Sequence, residues 1–500
     1  MQLMNRNERL RANSPRRRLL RRLAAAVVLT AQSGCFLAAP PQHGEVVHNA
    51  LPTTAIPLAW NQAAQPDGAV SDDWLKSFND PKLDGIVSEA IANNTDLRQA
   101  AARVEVARQN VVVVGAALMP QINASFAGSA LVTDSKSGDP TSPSNDHTAN
   151  VEYATISWEI DVWGKLRAQK AASEANFEAT ALDYDFARQS LAATTAKTWY
   201  LATETRQLLS LAQRDVDLYT QLDEVVRTRR EFGAVADLDV AEANASLNAA
   251  RSQLRVAQGH YAESLYSLEI LLGRFPAGDI EVGDTFPTAP NPVGPGLPSS
   301  LLERRPDIVA AEREVLAAFR NEEAARLALL PQFVLTVEGG RLSDQLLSVL
   351  GLNPWLFYSA LRMAVPIYEG GALRAELKIA TAQQQQAIAY YGSVALTAFS
   401  EVQVALTNEQ LLTQRLQYEM NALKDRTVAV QTANLRYVYG SVDLFEVLEL
   451  QTQQIENEEL VINLRAAQLT NRIDLHLALG GSFDMSPAGS LQKISSARGW

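Results

Sequence analysis

The chain has 500 residues, a formal net charge of −12, five histidines and one cysteine, Cys35. The first 34 residues carry eight arginines and one glutamate, so the remainder has a formal net charge of −19, which argues against nucleic acid as a partner. The histidines are scattered without metal-ligand spacing, and no Gly-rich phosphate loop follows a strand. The sequence therefore predicts no enzyme, no cofactor and no metal site.

The N-terminus has the features of an export signal. Residues 16–22 carry five arginines, and the apolar core at 23–31 is too short to cross a bilayer. Ser33 and Gly34, both small, precede Cys35. We predict a signal peptide at 1–34, lipid attachment at Cys35 and an N-terminal extension over 35–70. Gln32 stands where the lipoprotein pattern usually has leucine, so an ordinary cleaved signal is the alternative.

Two long tracts of the chain contain no proline. Residues 165–232 contain neither glycine nor proline, and residues 372–439 contain only Gly392. Both are rich in Ala, Leu, Gln, Glu and Arg, so each predicts one continuous helix of roughly 100 Å. The tracts are related by an offset of 207 residues, as are Gly233 and Gly440, whereas Pro120 and Pro331 are related by 211. The sequence therefore predicts an internal duplication.

We predict two structural repeats, 71–285 and 299–481, with a Pro/Gly-rich linker at 286–298 and a flexible tail at 482–500. Each repeat is predicted to run helix, β-hairpin, long helix, tight turn and shorter helix. The predicted hairpin, long helix and shorter helix lie at 120–161, 165–232 and 237–272 in the first repeat, and at 331–366, 372–439 and 443–479 in the second.

The hairpin segments alternate apolar and polar residues, which predicts strands with one apolar face. Ile122, Ala124 and Phe126 alternate with Asn123 and Ser125. The other three segments show the same alternation, and each has the length of a tilted transmembrane strand. Four strands cannot close a barrel, and an open edge is not tolerated in lipid. Two copies would give a barrel too narrow for a pore, whereas three copies give twelve strands and a channel.

Three stretches of sequence resemble a known family. They are "WLKSFNDPKLDGIVSEAIANNTDLRQAAARVEVAR" from Trp74, "LLERRPDIVAAEREVLAA" from Leu301 and "RYVYGSVDLFEVLELQ" from Arg436. They resemble the outer-membrane efflux lipoproteins of the TolC superfamily, OprM/NodT branch. The resemblance implies a homotrimer with a twelve-stranded transmembrane β-barrel, a twelve-helix α-barrel across the periplasm and a mixed equatorial belt. It also implies an anchor in outer-membrane lipid, a periplasmic adaptor and an inner-membrane proton-driven (RND-type) pump as partners.

"RRPD", the most specific of these motifs, is predicted to be structural. Pro306 suits the first turn of a helix, and Asp307 favours the helix dipole. Arg304 and Arg305 are expected to pair with the belt of a neighbouring subunit.

The turns after the long helices are predicted to lie at the periplasmic mouth, where three copies would bring carboxylates close to a threefold axis. The candidate gate residues are Asp443, Glu446, Asp237 and Asp239. The resemblance adds Arg436 and Tyr437 as links that hold the closed state, and Gly233 and Gly440 as turns for adaptor docking. The alternative is that Asp443 with Glu446, and Asp239 with Glu242, only cap helices.

Three function classes remain open from the sequence. The leading prediction is a passive exit duct for drugs or other toxic small molecules. The second is the outer-membrane channel of a type I protein-secretion system, and the third is a coiled-coil scaffold. The scaffold does not account for four alternating strands at duplicated positions.

Overall fold

The computed structural model describes residues 37–61, 72–132, 146–343 and 356–482. The predicted signal peptide, Cys35 and the predicted tail beyond residue 482 lie outside the described residues. The chain divides into two compact units. The first comprises Met1–Ala50, Glu105–Ala179 and Glu312–Tyr390, and the second comprises Leu51–Val104, Thr180–Ala311 and Tyr391–Trp500.

Most of the described residues are helical, and the remainder includes four β-strands. The N-terminal extension contains α1 (His43–Ala50), and the predicted first repeat contains α2 (Pro81–Asn93), α3 (Thr95–Gly115), α4 (Lys165–Glu231) and α5 (Asp237–Leu271). The second contains α6 (Pro298–Arg304), α7 (Pro306–Leu327), α8 (Ala372–Val438) and α9 (Leu444–Ala478). Within the described ranges, no helix is both long and apolar enough to span a membrane.

The two long helices, α4 and α8, have 67 residues each. Gly392 lies inside α8 without ending it, because one glycine costs only about 1 kcal/mol in a helix that tertiary packing supports. The Asp161 carboxylate caps the start of α4 by accepting from the backbone N–H groups of Gly164, Leu166 and Arg167 at 3.0 to 3.1 Å. These bonds satisfy N–H groups that have no partner within the helix.

The ends of α4, α5, α8 and α9 have the same backbone conformation. Each is followed by a glycine with φ between 68° and 70°, namely Gly233, Gly273, Gly440 and Gly480. At α4, the Gly233 N–H donates to the Arg230 carbonyl at 2.9 Å, and the next N–H donates to Arg229 at 2.9 Å. This is the Schellman arrangement, in which a left-handed residue satisfies the last carbonyls of a helix. The glycines therefore stop the helices at equivalent positions in both repeats.

The strands form one antiparallel sheet in the order β1-β2-β3-β4. Their bounds are β1 Gln121–Val132, β2 Asp146–Ile160, β3 Gln332–Ser343 and β4 Leu356–Ala364. Trp158 of β2 pairs with Leu335 of β3, so the two predicted hairpins join into a single sheet. β1 and β4 are its outer strands.

One face of this sheet is almost entirely apolar. Ile122, Ile156, Val337 and Ser359 are successive partners across the four strands, so their side chains share a face. Alternate residues from the same register add Ala124, Phe126, Ala154, Trp158, Ile160, Phe333, Leu335, Gly339, Phe357, Leu361 and Met363. The opposite face carries the polar residues Asn123, Ser125, Thr155, Ser157, Glu159, Thr336, Glu338 and Arg362, together with Tyr153, Val334, Tyr358 and Ala360. The alternation predicted from the sequence therefore gives one apolar face and one face of mixed polarity.

The arginines of the "RRPD" motif form ion pairs within the second unit. The Arg305 side chain is only 5% exposed and lies between the Asp307 carboxylate at 2.8 Å and the Glu401 carboxylate at 2.5 Å. Arg304 pairs with Asp72 at 2.6 Å. The expectation that these arginines pair with a neighbouring subunit was therefore wrong, since both have partners within the chain. Burial explains the internal pairing, because a guanidinium removed from water needs a carboxylate close by.

Candidate gate and docking site at the helix turns

The turn between α8 and α9 presents two exposed acidic residues. Asp443 is the N-cap of α9, and its carboxylate accepts from the Glu446 backbone N–H at 2.9 Å. Leu444, between them, is fully buried. Asp443 therefore has a structural role as a cap, while its charge and that of Glu446 remain at the surface.

The turn between α4 and α5 uses its acidic residues differently. The Arg230 guanidinium pairs with the Asp237 carboxylate at 2.5 Å and lowers the pKa of that carboxyl. The Asp239 carboxylate accepts from the Ala236 backbone N–H at 2.8 Å, which is one half of a capping box. Ala236 itself has no side-chain oxygen to complete the box. Both acidic side chains of this turn are thus engaged within the chain.

Arg229 connects the two turns. Its guanidinium donates to the carbonyls of Tyr437 and Val438, the last two residues of α8, at 3.0 and 2.8 Å. It also lies 4.3 Å from the centre of the Tyr437 ring. The Tyr437 carbonyl also accepts from the Gly440 N–H at 3.0 Å, so the guanidinium adds a second donor there and complements the negative end of the helix dipole.

Tyr437 belongs to the core and not to the surface of this region. It is 5% exposed and packs in a cluster with Val226, Ala243, Leu247 and Leu444. Its hydroxyl has no hydrogen-bond partner within the described part of the chain.

Arg436, the residue before Tyr437, is exposed. The duplication relates Arg436 to Arg229 by the offset of 207, so the sequence contained the signal that identifies Arg229. Its acceptors on α8 lie more than 200 residues away in sequence, so no local pattern indicates its role.

Each turn also exposes a pair of large apolar side chains at equivalent positions. Phe232 and Leu238 are 83% and 67% exposed at the first turn. Tyr439 and Phe445 are 79% and 63% exposed at the second. Gly233 and Gly440 lie between the members of each pair, and a Cβ placed on either glycine would have no neighbouring atom within 4 Å. The turns are thus small apolar surfaces without cover in a single chain.

Two carboxyl groups farther along α4 are partly withdrawn from water. Burial raises the pKa of Glu204 to about 7 and that of Asp215 to about 7. Across the described ranges, no group of three or more His, Cys, Asp or Glu side chains is placed to hold a metal ion. The two helix turns therefore present exposed charges and exposed apolar side chains.

A duplicated pair of very long helices combined with a four-stranded sheet that has an apolar outer face defines the class of outer-membrane channel proteins with a helical extension. The family model described as "Outer membrane efflux protein" matches residues 86–274 and 297–481. The chain therefore belongs to the outer membrane efflux protein family, whose members are the outer-membrane components of tripartite efflux systems.

The individual similarities extend over most of the chain. The pyoverdine export outer membrane protein OpmQ of Pseudomonas aeruginosa is 30% identical over 447 residues, covering 88% of this chain and 94% of OpmQ. The probable outer membrane lipoprotein SilC of Salmonella typhimurium is 29% identical over 413 residues, covering 82% and 88%. The crystal structure of the Campylobacter jejuni CmeC outer membrane channel has a TM-score of 0.82 at 21% identity, covering 93% of this chain and 97% of that one. These similarities confirm the fold class and the outer-membrane location predicted from the sequence.

Proposed function

We propose that the protein is the homotrimeric, passive outer-membrane duct of a tripartite system that exports toxic small molecules. The observation that carries this proposal is the sheet, which has one apolar face and two outer strands, β1 and β4. Lipid leaves an unpaired edge unsatisfied, so β4 of one copy must pair with β1 of the next. Three copies supply twelve strands around an open lumen.

The helices support the same assembly through the duplication. Within the chain, α9 lies against α4, with Lys197 paired to Asp474 at 2.8 Å and Arg214 to Glu458 at 3.2 Å. The offset of 207 relates α4 to α8 and α9 to α5. The surface of α8 equivalent to the covered surface of α4 is open in a single chain: Leu211 is 1% exposed, and its counterpart Tyr418 is 71% exposed. We therefore expect α5 of a neighbouring copy to cover α8.

This interface can be tested by crosslinking at defined levels. By the offset of 207, Lys197 corresponds to Val404 and Asp474 corresponds to Ser267. Val404 of one copy should therefore lie close to Ser267 of the next, and both residues are exposed. Val404→Cys combined with Ser267→Cys should give covalent trimers with a short bifunctional thiol reagent. Val404→Cys with Arg251→Cys is the matched control, since residue 251 lies about 24 Å farther along α5. Equal crosslinking of both pairs, or dimers alone, would contradict the trimer.

At the helix turns we propose a gate formed by three copies of Asp443 and Glu446, with Arg436 as a link to a neighbouring subunit. The support is that these charged side chains are exposed in one chain, whereas Asp237 and Asp239 are engaged within it. Asp239 therefore adds negative charge to the mouth, whereas the charge of Asp237 is offset by Arg230. Tyr437 supports the turn from the core. A ring of carboxylates favours cations and repels itself, so a bare ring needs a cationic link to close.

Asp443 has two roles, as a cap and as a charge, and two substitutions separate them. Asp443→Asn keeps the cap, because asparagine is as good an N-cap as aspartate, but removes the charge. Asp443→Ala removes both. In planar bilayers the wild type should show a small, cation-preferring conductance. Both variants should show larger conductance with weaker cation preference, while only Asp443→Ala loses thermal stability. If Asp443→Asn conducts like the wild type, Asp443 is only a cap.

For the docking of a periplasmic adaptor we propose the two turns at Gly233 and Gly440. Their support is the uncovered apolar pair at each turn, in which Phe232 corresponds to Tyr439 and Leu238 to Phe445. Replacing Leu238 and Phe445 together by serine should abolish adaptor binding and drug resistance while leaving the trimer intact. The substitution Tyr390→Ser, at another exposed position of α8, is the control. Unchanged adaptor binding would exclude the turns.

The anchor and the cargo complete the proposal. Acylation of Cys35 is supported by the export signal, and Cys35→Ala should abolish lipid labelling.

A small-molecule cargo is supported by the similarity to OpmQ, which is named as a pyoverdine export protein. A strain lacking the protein should become more susceptible to toxic small molecules, with recovery on complementation. Loss of a secreted protein without a change in susceptibility would favour the type I secretion alternative. The pump is expected to be of the RND type, which co-purification with the crosslinked complex would identify.

A further inference from the structure

We infer that Arg320 and Glu323 form a clamp on the backbone of Ala38 that fixes where the lipid-bearing N-terminus joins the strand-bearing unit. The clamp lies wholly within the first compact unit, which contains the sheet. The inference rests on the proposed acylation of Cys35, three residues before Ala38.

Both polar backbone groups of Ala38 are bound by charged side chains of α7. The Ala38 N–H donates to the Glu323 carboxylate at 2.6 Å, and the Arg320 guanidinium donates to the Ala38 carbonyl at 2.8 Å. Arg320 and Glu323 also pair with each other at 2.7 Å. The two residues are only 9% and 8% exposed. Charge-assisted bonds at both groups hold one residue in one position, whereas a single bond would allow it to slide.

A second contact holds the far end of the following segment. His43 Nδ1 lies 2.8 Å from the Glu312 carboxylate, and Val46 of α1 is 3% exposed. The six residues from 38 to 43 include Pro40 and Pro41, and their five steps span about 16 Å in a polyproline-like conformation at about 3.1 Å per residue. The twelve residues of α7 from 312 to 323, with eleven steps of about 1.5 Å, also span about 16 Å. The extended length of the segment is therefore close to the distance along α7 between its two contacts, which limits how far residue 38 can shift.

The clamp lies near the point where the sheet meets the long helix. Leu37 Cδ2 would be 3.4 Å from a Cβ placed on Gly164, which separates β2 from α4. Cys35 is three residues from Ala38 in sequence, and three residues of chain reach at most about 11 Å. The chemistry thus points to a positioning device that sets the height of a lipid anchor relative to the sheet. It recognises backbone, so the side chain at position 38 is free to vary.

That property defines the first test. Ala38→Pro removes the N–H that Glu323 accepts, while Ala38→Ser keeps it. In the acylated trimer, amide exchange in the segment 39–46 should accelerate by about tenfold in Ala38→Pro, Arg320→Ala and Glu323→Ala, since each loses a charge-assisted bond. Ala38→Ser and Arg326→Ala should exchange like the wild type. Arg326 is the matched control because it pairs with Glu322 at 2.5 Å, one turn away from the clamp. Wild-type exchange in Ala38→Pro would overturn the clamp.

The second test addresses the anchor. A six-residue Gly/Ser spacer inserted between Cys35 and Phe36 leaves the clamp intact but releases the lipid from its fixed height. Spacer and clamp variants should each lower the yield of membrane-inserted trimer severalfold, and combining them should cause no further loss, because both break the same connection. An additive loss, or wild-type yield in the clamp variants, would overturn the positioning role. Lipid labelling of Cys35 is measured in every variant. Absent labelling contradicts the anchor itself, and retained labelling with normal yield contradicts only the clamp.

Discussion

At the first helix turn, Arg229 and Arg230 both bind groups within the chain, whereas at the second turn the equivalent Arg436 is exposed and Tyr437 occupies the position of Arg230. Gly233 and Gly440 nevertheless give the two turns the same backbone conformation, with φ values of 70° and 69°. The glycine and its hydrogen bonds determine the path of the chain, and the side chains are free to diverge. One turn has thus become internally satisfied, while the other keeps charges available for a second copy.

The strongest test of this difference compares Tyr437 with its counterpart Arg230. Tyr437→Ala should destabilise the hairpin of α8 and α9 by about 3 kcal/mol, because it removes a large buried ring. Arg230→Ala should leave stability unchanged, because that side chain is at the surface. Amide exchange at the ends of the helices measures both. Equal losses in the two variants would show that the turns are held in the same way.

The next effect concerns the arginines at equivalent positions. Arg229→Ala should open the last turn of α8 by about 1.5 kcal/mol, because the Tyr437 and Val438 carbonyls lose a charged donor. Arg436→Ala should leave exchange in the single hairpin unchanged and alter conductance. Arg229→Lys keeps the charge without the planar fork and should fall between the two. If the amides in the last turn of α8 exchange as slowly in Arg229→Ala as in the wild type, water replaces the guanidinium without loss of stability.

A smaller effect follows from the caps. Ala236→Ser should stabilise the start of α5 by about 0.5 kcal/mol, since it supplies the side-chain oxygen that Asp443 provides at α9. Ala236→Val, which offers no acceptor, is the control. Thermal unfolding of the trimer reports both. If the serine variant gains nothing, the Asp239 carboxylate already satisfies the first turn.

The last comparison is a pH dependence that α4 should contribute and α8 should not. Burial raises the pKa of Glu204 to about 7, while its counterpart on α8 is Leu411. As pH rises from the ordinary carboxyl value through 7, the unfolded state loses its proton first, so stability falls. Glu204→Leu should remove this part of the fall between pH 5 and pH 8, and Leu411→Met should not. An unchanged slope in Glu204→Leu would assign the pH dependence to other groups.

The sequence predicted the features that depend on local pattern. The absence of glycine and proline predicted the long helices, and the period-two alternation around Ile122 and Ile156 predicted strands with one apolar face. The contacts of charged side chains could not be predicted in this way. Arg305 was assigned to a neighbouring subunit because its burial beside Glu401 depends on three helices meeting, which no local pattern encodes. The role of Arg229 was hidden for the same reason, since its acceptors lie more than 200 residues away.

The central pairing of the sheet has a consequence for the order of folding. β1 with β2 and β3 with β4 are local hairpins, but β2 meets β3 across about 180 residues of intervening chain. The first hairpin is therefore synthesised and exported long before its central partner exists. Until β2 pairs with β3 at Trp158 and Leu335, the edge of β2 remains free to pair with another chain. We therefore expect the pairing of β2 with β3 to be a slow step of folding, during which this edge benefits from protection.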